Sequence, residues 1–219
     1  TPAADYDVKY TICDNTNSGN CDTVTSVVPV TAGDLIANAD AIPSVAGSNA
    51  SQDLGVNVLD NDTKNGAKLN PSDVVLTESK ADPKGFLVLN PDGTVTLKAN
   101  APAGDYELEY TICEKLNQGN CKSNTVTLTV TLPVIDAVAD TITPINGNTG
   151  GTTLVLTAND KLNGNPAAVG TAPGEVTFTL VGTLPAGLTL NADYSITVAP
   201  NTPAADYDVK YTICDNTNS

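Results

Sequence analysis

APAGDYELEYTICEKLNQGNC, residues 101–121, carries the clearest structural signal in the chain. From Asp105 onward the residue character alternates. Tyr106, Leu108, Tyr110 and Ile112 fall on one side of an extended chain, and Glu107, Glu109 and Thr111 on the other. The apolar set is expected to face a core, with the tyrosine hydroxyls reaching its edge. Pro102-Ala103-Gly104-Asp105 makes a turn just before this long strand. Tyr106 therefore stands where a tyrosine corner would sit, its hydroxyl tying the turn to the strand; plain core filling is the other reading.

The same stretch recurs. Residues 1–21 read TPAADYDVKYTICDNTNSGNC, and residues 202–219 repeat residues 1–18 without a change. Tyr6 and Tyr207 hold the place of Tyr106. Other landmarks keep the spacing. Ala39-Asp40 corresponds to Ala139-Asp140, Leu59-Asp60-Asn61-Asp62 to Thr157-Ala158-Asn159-Asp160, and Leu89-Asn90-Pro91-Asp92 to Leu190-Asn191-Ala192-Asp193. The unit is thus about 100 residues long, in two alternating types. The chain parses into the closing part of one repeat at 1–33, a complete repeat at 34–134, and a repeat at 135–219 that lacks its last strand. Residue 1 opens inside a repeat, which is expected of an interior fragment.

Strand signals run throughout. Val and Thr alternate in Thr125-Val126-Thr127-Leu128-Thr129-Val130, in Thr94-Val95-Thr96-Leu97 and in Val176-Thr177-Phe178-Thr179-Leu180. This is the period of two expected of β-branched strands. Turn clusters separate them, among them 61–66, Asn90-Pro91-Asp92-Gly93 and Asn146-Gly147-Asn148. No segment shows an apolar 3.6-residue period over ten residues. In the complete repeat, strands are expected near 35–41, 54–59, 73–78, 85–89, 94–98, 105–113 and 124–132. Short strands at this density predict an all-β chain of tandem Ig-like antiparallel β-sandwich repeats, joined end to end into a rod.

Composition narrows the function. Lys and Arg total 10, all of them Lys, against 25 Asp and Glu, giving a net charge of -15. Nucleic-acid binding needs basic residues to neutralise phosphate, and an anionic membrane surface needs the same; neither is expected as a partner. There is no His, which excludes histidine general bases, Ser-His-Asp triads and Cys-His dyads. No apolar run is long enough to span a bilayer as a helix, so no membrane insertion is expected. Paired carboxylates are the remaining catalytic option, as at Asp60 and Asp62 or Glu107 and Glu109. A glycosidase cleft also needs aromatic sugar platforms, and aromatics are only 4% of the chain, with no Trp. The chain is read as not an enzyme.

The five cysteines are Cys13, Cys21, Cys113, Cys121 and Cys214. Two pairs share the spacing C-x7-C around loops rich in Asn and containing Gly, between strand-like runs. Each reads as a hairpin closed by a disulfide, Cys13 with Cys21 and Cys113 with Cys121. Such a bridge contributes about 2–3 kcal/mol in the chain-entropy model. Cys214 is left unpaired by truncation. A zinc site would need four ligands, and each repeat offers two Cys and no His. Disulfides imply an oxidising, extracellular compartment. Asp40, Asp60, Asp62, Asp140 and Asp160 are candidate calcium ligands, since calcium takes six to eight hard oxygens. No D-x-D-x-D-G loop is present, however, and Asn and Asp acting as turn formers is the leading alternative. No other cofactor is expected.

Ala39-Asp40, Val58-Leu59-Asp60-Asn61-Asp62, Pro91-Asp92-Gly93-Thr94-Val95-Thr96, Gly104-Asp105-Tyr106 and Tyr110-Thr111-Ile112-Cys113 follow one another in an order that resembles the bacterial Ig-like and cadherin-like tandem repeats of giant surface adhesins. The near-identical copies, the acidic Arg-free composition and the cysteine hairpin further resemble the SprB-type gliding-motility adhesins of Bacteroidetes. That resemblance implies a cell-surface filament exported by the type IX secretion system and moved by the gliding machinery. It implies extracellular surfaces or polysaccharides as partners, together with neighbouring repeats. Asp22-Thr23-Val24 and Asp140-Thr141-Ile142 resemble the Asp-Thr-aliphatic O-glycosylation motif of Bacteroidetes, which makes Thr23 and Thr141 candidate glycan carriers. The junctions Pro29–Asp34 and Thr131–Asp136 are short and contain Pro, unlike a flexible Gly/Ser tether. The expected role is a structural stalk segment serving surface attachment and gliding. A carbohydrate-binding module array of a secreted protein is the alternative, and it would need exposed aromatics.

Overall fold

A computed structural model of the chain describes residues 1–218; Ser219 lies outside the described residues. Among the described residues the chain is built of antiparallel strands with two short 3-10 turns, at Pro71–Asp73 and Leu156–Asn159. It has the all-β, Ig-like sandwich architecture that the alternation predicts.

Two compact units emerge. The first comprises Thr1–Ile42, Asp53–Thr96 and Glu107–Thr127. The second comprises Pro43–Gln52, Leu97–Tyr106 and the chain from Leu128 onward. Their limits fall inside strands, not at the repeat boundaries 33/34 and 134/135.

The first unit opens with a hairpin. Ala4–Cys13 pairs with Cys21–Val30 in unbroken register from Ala4 opposite Val30 to Cys13 opposite Cys21. A disulfide joins Cys13 to Cys21, and another joins Cys113 to Cys121. Leu35–Ile36, Thr63–Lys64 and Ala67–Lys68 form a small sheet. Its hairpin turns on Asn65 and Gly66, both at positive φ (52° and 76°), the conformation a tight primed turn demands.

The central repeat carries two sheets. One has the order Asp40–Ala46, Cys121–Thr131, Gly104–Glu114, Val74–Lys80; the other Gln52–Asn57, Thr94–Leu97, Leu87–Leu89. Alternation decides what is buried. Tyr106, Leu108, Tyr110 and Ile112 are at most 2% exposed, as are Val126, Leu128 and Val130. Burying a side chain of this size contributes roughly 1.5–3 kcal/mol.

Within the second unit, Gly151–Thr152, Ile196–Val198 and Leu188–Leu190 form one sheet, and Ile135–Asp136, Lys161–Leu162 and Asn165–Pro166 another. Val176–Val181 pairs with Lys210–Asp215 from Val176 opposite Asp215 to Val181 opposite Lys210. Leu162, Val176 and Ile213 pack together, with Val169 and Tyr211 against them.

One expected strand is broken. Residues 35–41 read as continuous, yet the structure has Leu35–Ile36, a gap, and then Asp40–Ala46. The gap has a physical cause. The Ala37 carbonyl accepts from Asn124 Nδ2 (2.8 Å), Asn38 N–H donates to Asp62 Oδ1 (2.7 Å), and the Ala39 carbonyl accepts from Asn61 Nδ2 (3.1 Å). Side chains occupy the backbone groups that a ladder would have used.

Candidate functional site

The broken segment leads to a buried polar latch. Asp62 is fully buried and Asp40 only 7% exposed. The Tyr110 hydroxyl stands 2.8 Å from the Asn38 carbonyl oxygen, 3.0 Å from Asp62 Oδ1 and 3.4 Å from the Val58 carbonyl oxygen. Asn61 Nδ2 donates to Asp40 Oδ1 (3.0 Å) as well as to Ala39. Asp40 Oδ2 and Asp62 Oδ2 have no hydrogen-bond partner among the described residues. Burial, reinforced by the neighbouring Asp62 charge, pushes the Asp40 carboxyl up to about 6. Burial also raises Asp62. Burial and the two carboxylates hold Tyr110 protonated by pushing its phenol upward.

The latch recurs in the third repeat. The Tyr211 hydroxyl reaches Asp160 Oδ1 (3.1 Å), Asp160 Oδ2 (3.0 Å) and the Leu156 carbonyl (3.1 Å). Val138 N–H donates to Asp160 Oδ1 (2.8 Å), as Asn38 does to Asp62. Asp140, held up by burial and then by Asp160, takes the place of Asp40. Asn159 Nδ2 donates to the Ala139 carbonyl (3.3 Å), in the manner of Asn61.

These positions test the candidate calcium set. Asp40 and Asp62 converge, and Asp140 lies near Asp160. Asp60 does not join them: it is exposed and pairs with Lys68 Nζ at 2.9 Å. Among the described residues no three acidic, Cys or His side chains gather in a way that would hold a metal. Two carboxylates, one already taking an amide and a phenol hydrogen, fall short of the six to eight oxygens calcium requires. The carboxylates alone leave a calcium shell incomplete, while Asp40 Oδ2, Asp62 Oδ2 and, in the third repeat, Asn159 Oδ1 are buried oxygens with no hydrogen-bond partner among the described residues. A proton on Asp40 relieves two buried like charges beside a single phenol hydrogen.

A second cluster sits at the disulfide loop, and sequence reasoning missed it. Glu114 is 3% exposed and receives Lys64 Nζ at 2.7 Å, Asn117 Nδ2 at 2.9 Å and Asn120 Nδ2 at 3.0 Å. The Asn120 bond, the Lys64 bond and the Asn117 bond, in that order, hold its carboxyl down to about 2. Asn120 Nδ2 also donates to the Gly33 carbonyl (2.8 Å). The signal was present in the sequence: an acid follows the first cysteine of every copy, at Asp14, Glu114 and Asp215.

The loop also reaches the preceding repeat. Asn117 Oδ1 accepts the Ala3 N–H, and Asn218 Oδ1, at the equivalent position one repeat later, accepts the Ala103 N–H (2.6 Å). Asn163 adds Nδ2 to the Gly47 carbonyl (2.6 Å) while its Oδ1 accepts from Val134 N (2.9 Å). All three copies close a tyrosine corner: Tyr6 and Tyr207 donate to the Pro2 and Pro203 carbonyls at 2.8 Å, and Tyr106 donates to Pro102. Thr23 and Thr141 are exposed.

Residues 28–131 match the family described as bacterial Ig domain. No curated protein matches. Among solved structures, an endo-fucoidan hydrolase of glycoside hydrolase family 107 overlaps 100% of this chain and 33% of its own, at 13% identity and a TM-score of 0.35. Extracellular cadherin domains 1–5 of protocadherin gamma B2 overlap 90% of this chain and 39% of theirs, at 12% identity and a TM-score of 0.36. A SusE-like surface-located polysaccharide-binding protein from the heparin utilisation locus of Bacteroides thetaiotaomicron overlaps 75% of this chain and 28% of its own, at 14% identity and a TM-score of 0.33. The chain therefore spans well under half the length of each. Identities and scores this low carry no information about ligand or activity.

Proposed function

We propose that the chain is a load-bearing stalk segment of a repetitive bacterial cell-surface adhesin, with each Ig-like repeat joined directly to the next. The observation that carries this reading is the recurring joint. Asn117 to Ala3 and Asn218 to Ala103 are the same contact at two successive boundaries. A joint specified by side chains, with no flexible tether, passes tension from one repeat to the next. On this reading residues 1–33, 34–134 and 135–219 are successive repeats of an extracellular filament, and surface attachment and gliding motility are the work of the whole protein. The resemblance to SprB-type adhesins supports the gliding assignment and export by the type IX system.

Pulling the chain from its two ends tests the mechanical reading. The complete repeat and the one after it should unfold in separate events. Each should gain about 3.3–3.6 Å of contour per released residue. A featureless stretch, or one rupture of the whole chain, overturns it. Loss of surface spreading when this region is deleted in the bacterium that makes it tests the gliding assignment. Retention of the native chain on a glycan array would favour a carbohydrate-binding module instead.

A further inference from the structure

The tyrosine corner and the cysteine loop of the following repeat meet at one peptide unit. Tyr6 donates its hydroxyl hydrogen to the Pro2 carbonyl, and the N–H of that same peptide, carried by Ala3, goes to Asn117 Oδ1. Tyr106 donates to the Pro102 carbonyl, and the Ala103 N–H goes to Asn218 Oδ1. A trans peptide is planar, and its carbonyl and N–H point opposite ways. A phenol that fixes the carbonyl therefore aims the N–H. In both copies the N–H is aimed out of its own repeat, at an asparagine of the next.

That asparagine is itself held from behind. Asn117 Nδ2 donates to Glu114 Oε2 (2.9 Å), and Asn218 Nδ2 donates to Asp215 Oδ2 (2.7 Å). Both acids are buried. The loop backbone sets the spacing: Asn117 N–H donates to the Glu114 carbonyl (3.2 Å), Glu114 N–H donates to the Asn120 carbonyl (3.1 Å), and Cys113–Cys121 closes the loop. An asparagine amide offers a donor nitrogen and an acceptor oxygen. With the nitrogen committed to a buried carboxylate, the oxygen is the end that faces the preceding repeat, and an oxygen receives an N–H. The bonds run in one direction, from phenol to peptide to side-chain amide to carboxylate. Each polarises the next, and the last ends on a charge.

We propose that the tyrosine corner is the socket of the repeat joint, and that its partner is the acid-anchored asparagine in the cysteine loop of the following repeat. The socket is written Pro-Ala-x-Asp-Tyr, at 2–6 and 102–106; the plug is written Cys-acid-x-x-Asn, at 113–117 and 214–218. The central repeat carries one of each, Asn117 toward the repeat before it and Ala103 toward the repeat after it. Tyr6 and Tyr106 are positioning residues that act through the peptide, and Glu114 and Asp215 are positioning residues that act through the asparagine. Glu and Asp serve equally at the anchor, because the two repeat types place the same bond to the same asparagine. The tyrosine corner thus has a second task beyond tying its own turn. The assignment deepens the stalk reading and rests on it.

Amide hydrogen exchange on the full chain with its disulfides intact, read residue by residue by NMR, tests this. Tyr6→Phe should speed exchange at Ala3 by roughly fivefold or more, the equivalent of one net hydrogen bond, and leave Ala103 unchanged. Tyr106→Phe should do the reverse. Glu114→Gln should speed Ala3 alone, and Asp215→Asn should speed Ala103 alone. Glu114→Asp should keep Ala3 slow, since an aspartate holds that place in the other repeat type. The strand amides of Leu108 and Leu128 report the fold and should not move. An Ala3 amide unmoved by Tyr6→Phe or Glu114→Gln overturns the proposal, as does a Glu114→Asp chain that behaves like Glu114→Gln. Equal acceleration at Leu108 and Leu128 also overturns it, because the tyrosine would then be a fold contact and nothing more. These outcomes are separable from the stalk reading: a chain that ruptures in one event under tension sinks that reading and leaves exchange at Ala3 as it stands.

Discussion

The Tyr110 hydroxyl stands 3.0 Å from Asp62 Oδ1, and the Tyr211 hydroxyl stands 3.0 Å from Asp160 Oδ2. In two repeats whose intervening sequences differ, a strand tyrosine thus holds the aspartate that immediately precedes a short strand, Thr63–Lys64 in one and Lys161–Leu162 in the other. The phenol replaces the solvent that the buried carboxylate has lost. Tyr110→Phe removes that donor and leaves a buried acceptor short. The expected loss is about 1–3 kcal/mol, read as a lower denaturant midpoint with an unchanged slope. A Tyr110→Phe chain as stable as the native one would mean the latch contributes nothing.

Two carboxyls shape the pH dependence in opposite directions. Asp40 titrates near 6, above its ordinary 3.8, so its protonated form is the one the fold favours. Its contribution is complete below about 3.8 and is lost as pH rises through about 6. Asp40→Asn should remove this loss, and its melting temperature relative to the native chain should climb across that window. Glu114 titrates near 2, below its ordinary 4.5, so its ionised form is favoured. That contribution is present above about 4.5 and disappears as pH falls through about 2. Glu114→Gln should weaken the chain at neutral pH and flatten the acid limb of its stability curve. Melting curves across both windows check the two signs.

Calcium should leave the melting temperature unchanged, whether added in excess or removed with a chelator. The prediction follows from a donor set of two carboxylates with Asp60 turned away to Lys68. A rise with calcium that disappears in Asp62→Asn would show that the latch takes a cation after all.

Each disulfide should be found within its own loop by non-reducing mass spectrometry, Cys13 with Cys21 and Cys113 with Cys121. Reduction should cost about 2–3 kcal/mol per closed loop. Most of each repeat lies outside the loops, so the strands should survive reduction. Free thiols, or links between repeats, would contradict the pairing.

Material purified from the native host should exceed the mass of the bare sequence if Thr23 and Thr141 carry glycans. Both are exposed, and Thr23 Oγ1 lies 2.8 Å from Thr11 Oγ1. Peptide mapping should place the added mass at those residues, and an unmodified intact mass removes the assignment.

The residues by themselves determined a good deal. Alternation in 105–113 put Tyr106, Leu108, Tyr110 and Ile112 on the inner face, and all four are buried. That legibility has a simple cause: a strand's two-residue period is local, so a core face is written directly in the sequence. The cysteine pairs were legible for the same reason, since a short loop between strands brings its ends together. Partners brought from far along the chain were not legible. Nothing local marks Glu114 for burial; Lys64, Asn117 and Asn120 close over it only in the fold. Residues 35–41 looked like one strand because nothing local says that Asn61, Asp62, Tyr110 and Asn124 will take its backbone hydrogen bonds.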